Sequence, residues 1–148
     1  MKFLIVEHNK NFRNYYKKSI NRICKIDLGI EDVVFEETDD GFTAYHTYQD
    51  FKPDYVIMEL QLPRMNRVET AKEIKKIDPN AKLIVVTGFC EDRMYVKAQQ
   101  EKLMDVFFSK PLKYDLLKNY LLSSSGLEEV SAGQEEVMKS YKQITKKK

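Results

Sequence analysis

The stretch Pro53-Asp54-Tyr55-Val56-Ile57-Met58-Glu59-Leu60-Gln61-Leu62-Pro63-Arg64-Met65-Asn66-Arg67 decides the fold. A Pro-Asp turn signal opens it, an apolar run follows, and an acid, Glu59, closes the run. Leu60, Gln61 and Leu62 then lead to a second proline, Pro63. A short apolar run bounded by turn signals suits a strand buried on both faces, as strands of a parallel sheet are. A carboxylate at the carboxyl end of such a strand stands at the sheet's rim. Open α/β sheets bind their ligands there, in the crevice at a topological switch point.

Outward from this run the same pattern recurs. Phe3-Leu4-Ile5-Val6, Val33-Val34-Phe35, Leu83-Ile84-Val85-Val86 and Val106-Phe107-Phe108 are further short apolar runs, each predicted to be a strand. Helical spacing fills the gaps between them. Phe12, Tyr15, Tyr16, Ile20, Ile23 and Cys24 predict a first helix, with Asn9 as N-cap, or Asn11, and Gly29 closing the connection. Phe42, Ala44, Tyr45 and Tyr48 predict a second, capped by Asp39 or Asp40 and ending before Pro53. Val68, Ala71, Ile74 and Ile77 place a third on one face, stopped by Asp78-Pro79-Asn80. A fourth is predicted over residues 91–102, with Met94, Tyr95 and Ala98, and a fifth from near Lys113, with Tyr114, Leu116, Leu117, Tyr120 and Leu121. Five strands alternating with five helices predict an α/β fold, a parallel sheet with helices on both faces.

The composition sets bounds on function. With 148 residues, 43% of them hydrophobic, the chain can pack one core. The expected organisation is a domain over residues 1–122, ended by Ser123-Ser124-Ser125-Gly126, and a flexible or partly helical tail over 123–148. The net charge of +2 makes no general case for nucleic acid, and Lys146-Lys147-Lys148 is a very short basic end. No apolar run is long enough to span a bilayer, so no membrane partner is expected. The isolated Cys24 and Cys90 fit reduced thiols and a cytoplasmic location.

Pro53, Asp54, Pro63 and Met65 around the third strand, and Lys110-Pro111 after the fifth, resemble the response-regulator receiver domains, over about residues 2–122. The resemblance implies a flavodoxin-like, doubly wound five-stranded sheet of order 2-1-3-4-5 with five helices. It makes Glu59 the phosphoacceptor equivalent. It places Thr87 and Lys110 as phosphoryl contacts and Phe107 as the aromatic switch. It gives Glu7, His8, Glu59 and the Gln61 backbone carbonyl as the magnesium set. The face of the fourth helix, fifth strand and fifth helix would carry Tyr95, Tyr114 and Tyr120 as partner anchors. Plainer roles stay open: His8 as a surface or cap-region residue, Thr87 as a strand-end hydroxyl, Phe107 as core packing.

Three positions depart from the family's pattern. Glu59 stands where the family has aspartate, His8 replaces a carboxylate, and Asn66-Arg67 replaces Asp-Gly. Glu59 is longer by one C–C bond, about 1.5 Å. A misplacement of about 1 Å can cost on the order of a hundredfold in a positioned reaction. An imidazole is a poor ligand for a hard cation. The expectation is an atypical receiver acting as a protein-interaction module without phosphorylation, not an enzyme. It needs no cofactor and binds magnesium weakly if at all. Its partner is a histidine kinase, an output protein or a second copy. The alternative is a working phosphoacceptor served by a histidine kinase and magnesium. An unrelated flavodoxin-like enzyme ranks lower, for want of a phosphate-binding Gly-rich loop, a nucleophile elbow or a metal-binding His pair.

Overall fold

A computed structural model describes residues 1–59, 67–88 and 102–126. Its five strands are β1 (Lys2–Val6), β2 (Val34–Thr38), β3 (Tyr55–Met58), β4 (Leu83–Thr87) and β5 (Val106–Ser109). All pair in parallel, in the order β2-β1-β3-β4-β5. Four helices lie among the described residues: α1 (Lys10–Arg22), α2 (Gly41–Phe51), α3 (Arg67–Ile77) and α4 (Tyr114–Ser125). The sheet order is the flavodoxin-like one that the resemblance implied. The helix predicted over 91–102 lies outside the described residues. None of the described helices is long and apolar enough to cross a membrane.

Alternation along the strands divides the core in two. Phe3 and Ile5 of β1, Tyr55 and Ile57 of β3, and Ile84 and Val86 of β4 face α1 and α4. They meet Tyr16, Ile20 and Ile23 from one helix and its continuation, and Leu117, Tyr120 and Leu121 from the other. Leu4 and Val6, Val56 and Met58, and Leu83 point the other way, against Ala44 and Tyr48 of α2 and Ala71 and Ile74 of α3. Each inner strand therefore buries both its faces, which is why its sequence is apolar without interruption. Leu4, Val6, Val56, Ile57, Leu83, Val85 and Val106, the residues expected to be buried strand positions, are all buried.

The helix starts follow their caps. Asn9 Oδ1 accepts from the backbone N–H groups of Asn11 and Phe12, which makes Asn9 rather than Asn11 the cap of α1. Asp40 Oδ1 accepts from Thr43 N–H and starts α2. α1 runs on into a π-helical turn, Ile23–Asp27, and the chain then reverses at Gly29, whose φ of 69° is one that glycine adopts without steric cost.

One boundary differs from the sequence expectation. β2 begins at Val34 and runs on to Thr38, through Glu36 and Glu37, beyond the apolar Val33-Val34-Phe35 that predicted it. It is an edge strand, and its consecutive Glu36 and Glu37 are both exposed. At the other end, α4 runs on through Ser123, Ser124 and Ser125. Ser124 pairs with the Tyr55 hydroxyl at 2.7 Å, and Lys82 Nζ donates to the Ser124 carbonyl.

Candidate functional site

Parallel pairing brings the strands' carboxyl ends to one rim, and the ladder runs one residue beyond the strands. Glu7 N–H donates to Thr38 O, Glu59 N–H to Val6 O and Lys110 N–H to Thr87 O, each at 3.0 Å. Glu7, Glu59, Thr87 and Lys110 are thereby fixed at the rim by backbone bonds.

Their side chains converge. Lys110 Nζ lies 2.5 Å from Glu7 Oε1 and 2.7 Å from Glu59 Oε2. Both acids are buried, their side chains 1% and 4% exposed, and the lysine side chain is 16% exposed. The ammonium also lies 4.1 Å from the ring centroid of Phe12, within cation–π range. Burial by itself pushes the Lys110 pKa down. The hydrogen bonds it donates to Glu59 and Glu7, with their charges, outweigh that and raise it. Two anions and one cation largely withdrawn from water are stable only while each carboxylate keeps a partner.

Glu7 was expected in the magnesium set, beside His8. One of its oxygens is instead bound by Lys110, and its second, Oε2, is buried with no hydrogen-bond partner. The Tyr16 hydroxyl is buried and unpaired as well. Its pKa is raised by burial first and by the charges of Glu7 and Glu59 next. His8 Nδ1 is 3.8 Å from Glu7 Oε2, and the imidazole is 55% exposed. His8 thus lies at the surface, as its plainer reading had it.

Arg13 carries a positioning role that the sequence pattern does not announce. Its Nη1 donates to the carbonyls of Glu7 and His8 at 2.8 and 3.0 Å, and its Nε reaches Glu37 Oε1 at 3.4 Å. The loop from β1 to α1 is therefore pinned to the edge strand.

Thr87, fully buried, ends β4. Phe107 is 3% exposed on β5, opposite Val85. Gln61 and Tyr95 lie outside the described residues. Tyr114 is half-buried; its hydroxyl donates to Asp27 Oδ2 at 3.0 Å, and Arg22 lies 5.1 Å from its ring centroid. Tyr120, expected as a partner anchor, is a core residue at 6% exposure, edge-on to Tyr55 and Phe108. Helical spacing puts it on the face that α4 buries against the sheet, so it has no surface to offer a partner.

The family model for the response regulator receiver domain matches residues 3–122. The chemotaxis protein CheY of Thermotoga maritima is 39% identical over 77 residues, 52% of this chain and 63% of that protein. The chemotaxis protein CheY of Listeria monocytogenes is 30% identical over 115 residues, 78% of this chain and 90% of that protein. Among solved structures, a CheY-like receiver domain from Methylobacillus flagellatus aligns with a TM-score of 0.66 at 20% identity, over 83% of this chain and 97% of that one. A chain of the CheX–CheY–BeF3–Mg complex of Borrelia burgdorferi aligns with a TM-score of 0.65 at 21% identity, over 84% and 89%. At these identities the two structures speak to the fold alone.

Proposed function

The chain belongs to the response regulator receiver domain family, and on that premise we propose that it is an atypical receiver, one that signals through protein contacts without being phosphorylated. Receiver domains are the signalling modules of two-component systems and act on protein partners. One observation supports the finer reading: Lys110 already holds two carboxylates, Glu7 and Glu59, at 2.5 and 2.7 Å. A phosphoryl group on the acceptor needs that ammonium for the charge on its oxygens. Here the Glu59 carboxylate takes that contact itself. The imitation is partial, because a carboxylate carries less charge than a phosphate and two oxygens rather than three.

The described donors fit magnesium poorly. The ion takes oxygen ligands in near-octahedral geometry. Glu7 and Glu59 each give an oxygen to Lys110, and His8 supplies a mostly exposed nitrogen. The proposal therefore routes no step through a metal. The unit extends to the end of α4 at Ser125, and its partner is a histidine kinase, an output protein or a second copy. The half-buried Tyr114 remains as an anchor on the α4 side.

A second reading, the working phosphoacceptor, draws on the buried and unpaired Glu7 Oε2, an oxygen open to a cation. One experiment separates the two. The wild type, Glu59→Asp, and Glu59→Asp with His8→Asp are titrated with magnesium and beryllofluoride while amide spectra are recorded. Each is then incubated with acetyl phosphate and weighed. The expected outcome is no saturable shift at Thr87 or Lys110 and no phosphoryl mass gain in the wild type, with response confined to the double variant. A saturable wild-type response would establish the phosphoacceptor instead.

A further inference from the structure

We propose that the chain's own segment Leu127-Glu128-Glu129-Val130 folds back into a cleft at the amino edge of the sheet, with Leu127 as its apolar anchor. Met1, Tyr55 and Lys82 line this cleft, at the starts of β1, β3 and β4. It therefore opens at the edge opposite the rim that carries Glu7, Glu59 and Lys110, and the inference does not rest on the reading of that rim.

The cleft is built to be covered. Its volume is about 500 Å³, within the roughly 300–1,000 Å³ of small-ligand sites. Met1, Leu28 and Ile30 form its apolar wall, packed against the core yet only half-buried. Backbone bonds hold that wall in place. Val34 N–H donates to Met1 O at 2.9 Å, Val56 N–H to Lys82 O at 2.9 Å, and Ile30 N–H to Cys24 O at 2.8 Å. Apolar side chains held half-open in a fixed concavity gain free energy when an apolar group displaces the water over them.

The end of α4 says what covers it. Ser125, the last residue of the helix, is itself part of the cleft's wall. Gly126 follows with a φ of 70°, the left-handed conformation that turns a chain back on its helix. In such caps the residue after the glycine commonly packs against the last turn, and here that residue is Leu127. Leu121 stands four residues before Ser125, on the same helix face. It is buried in the cluster against which Leu28 and Ile30 pack, so an apolar group turned back along this face meets the cleft. Val130, three residues on, brings a second one. The charges agree. Lys82 Nζ donates to Ser124 O at 3.1 Å and lies 4.9 Å from the Tyr55 ring centroid, with no carboxylate paired to it among the described residues. An ammonium has three donors, and Glu128 and Glu129 supply carboxylates beside Leu127. Asp54, the acid on the cleft's wall, already accepts from Lys2 N–H at 2.7 Å. A tether this short gives its own segment an effective concentration of about millimolar, which a separate partner or a second copy has to exceed.

The test uses the full isotope-labelled chain and two pairs of substitutions outside the folded unit. One pair is Leu127→Ser with Val130→Ser; the control pair, further along, is Val137→Ser with Ile144→Ser. In the wild type, the Leu127 methyls are expected to show through-space contacts with those of Leu28 and Ile30. The amides of residues 127–130, corrected for intrinsic rates, are expected to exchange about tenfold more slowly than those of 146–148, a protection of about 1.4 kcal/mol. The first pair should abolish both effects and shift the amide signals of Leu28, Gly29, Ile30, Tyr55 and Lys82, and the control pair should leave them in place. Dilution by about tenfold should change nothing, because the contact is within one chain. Leu127 contacts confined to the last turn of α4 would overturn the inference, as would unprotected amides at 127–130 or an equal response to both pairs. Signals lost on dilution would assign the cleft to a second copy and overturn it too. No substitution comes near Lys110, Glu7 or Glu59, so failure here leaves the reading of the rim standing.

Discussion

Replacing Lys110 with methionine removes the one cation that two buried carboxylates share. At a separation of about 4 Å and an effective dielectric of about 20, a charge pair is worth about 4 kcal/mol before desolvation is subtracted. Desolvating three groups offsets much of the gain from two such pairs, so the pair's net worth is small. Breaking it is another matter, since Glu7 and Glu59, 1% and 4% exposed at their side chains, then both lose the ammonium they share. The expected loss is about 3–5 kcal/mol, against a total stability of about 5–15 kcal/mol for a domain. Glu59→Gln is milder, because Lys110 keeps Glu7; about 1.5–3 kcal/mol is expected, the worth of a hydrogen bond to a charged group. The assay is urea unfolding at neutral pH, with the slope checked for constancy between variants. In the double variant the lysine's removal strands one fewer charge, so the combined cost should fall short of the sum by about 1–3 kcal/mol. A Lys110→Met loss under about 1 kcal/mol, or strict additivity, would refute the idea that these three groups act as one buried unit.

Ile57, 1% exposed at the centre of β3, packs among side chains from the sheet, α1 and α4; Ile57→Ala should cost about 2–5 kcal/mol by urea titration, and a loss under about 1 kcal/mol would contradict its place in the core. Stability should also fall at alkaline pH. Lys110 is raised in the fold by its carboxylate partners against the opposing effect of burial, and Tyr16, Tyr48 and Tyr120 are raised chiefly by burial. A raised folded pKa contributes stability that is full below the unfolded value, about 10 for these residue types. It is lost as pH rises through the folded value. Urea midpoints should hold between pH 7 and about 9 and drop beyond about 10; a flat profile to pH 11 would show these groups to be ionising as freely in the fold as out of it.

The strands were legible because four of the five, β1, β3, β4 and β5, are apolar on both faces, leaving a short run that few other structures produce. β2 was half legible. Its Val34 and Phe35 gave it away, but Glu36 and Glu37 hid its second half, since an edge strand answers to solvent on one side. The site residues could be named from the strand ends, yet the pairing of Glu7 with Lys110 could not, because contact across a sheet depends on strand order and reach rather than on sequence spacing. Tyr120 shows the limit of periodicity in another way. An aromatic residue on an amphipathic helix fits a core or an interface equally, and only packing against Tyr55 and Phe108 decides between them. Arg13 was missed because nothing in a sequence marks a guanidinium that binds backbone carbonyls.

The geometry of the rim explains why this lysine is so fully engaged. Neighbouring strands lie roughly 4.8 Å apart. Lys110 follows β5 and Glu59 follows β3, with β4 between them, so their backbones stand roughly 10 Å apart across the sheet. Glu7 follows β1, one strand further, at roughly 14 Å. Contacts of 2.7 and 2.5 Å leave the side chains to cover the remainder. The first gap is within easy reach of a lysine and a carboxylate. The second takes nearly the full extension of both, so that an aspartate at position 7, shorter by about 1.5 Å, would strain to meet it. Lys110 is therefore stretched across the end of β4, past Thr87, with the ring of Phe12 4.1 Å from its ammonium. An ammonium drawn out to Glu7 passes Glu59 on the way and satisfies both. The position from which it would receive a phosphoryl group is the one in which two carboxylates already hold it.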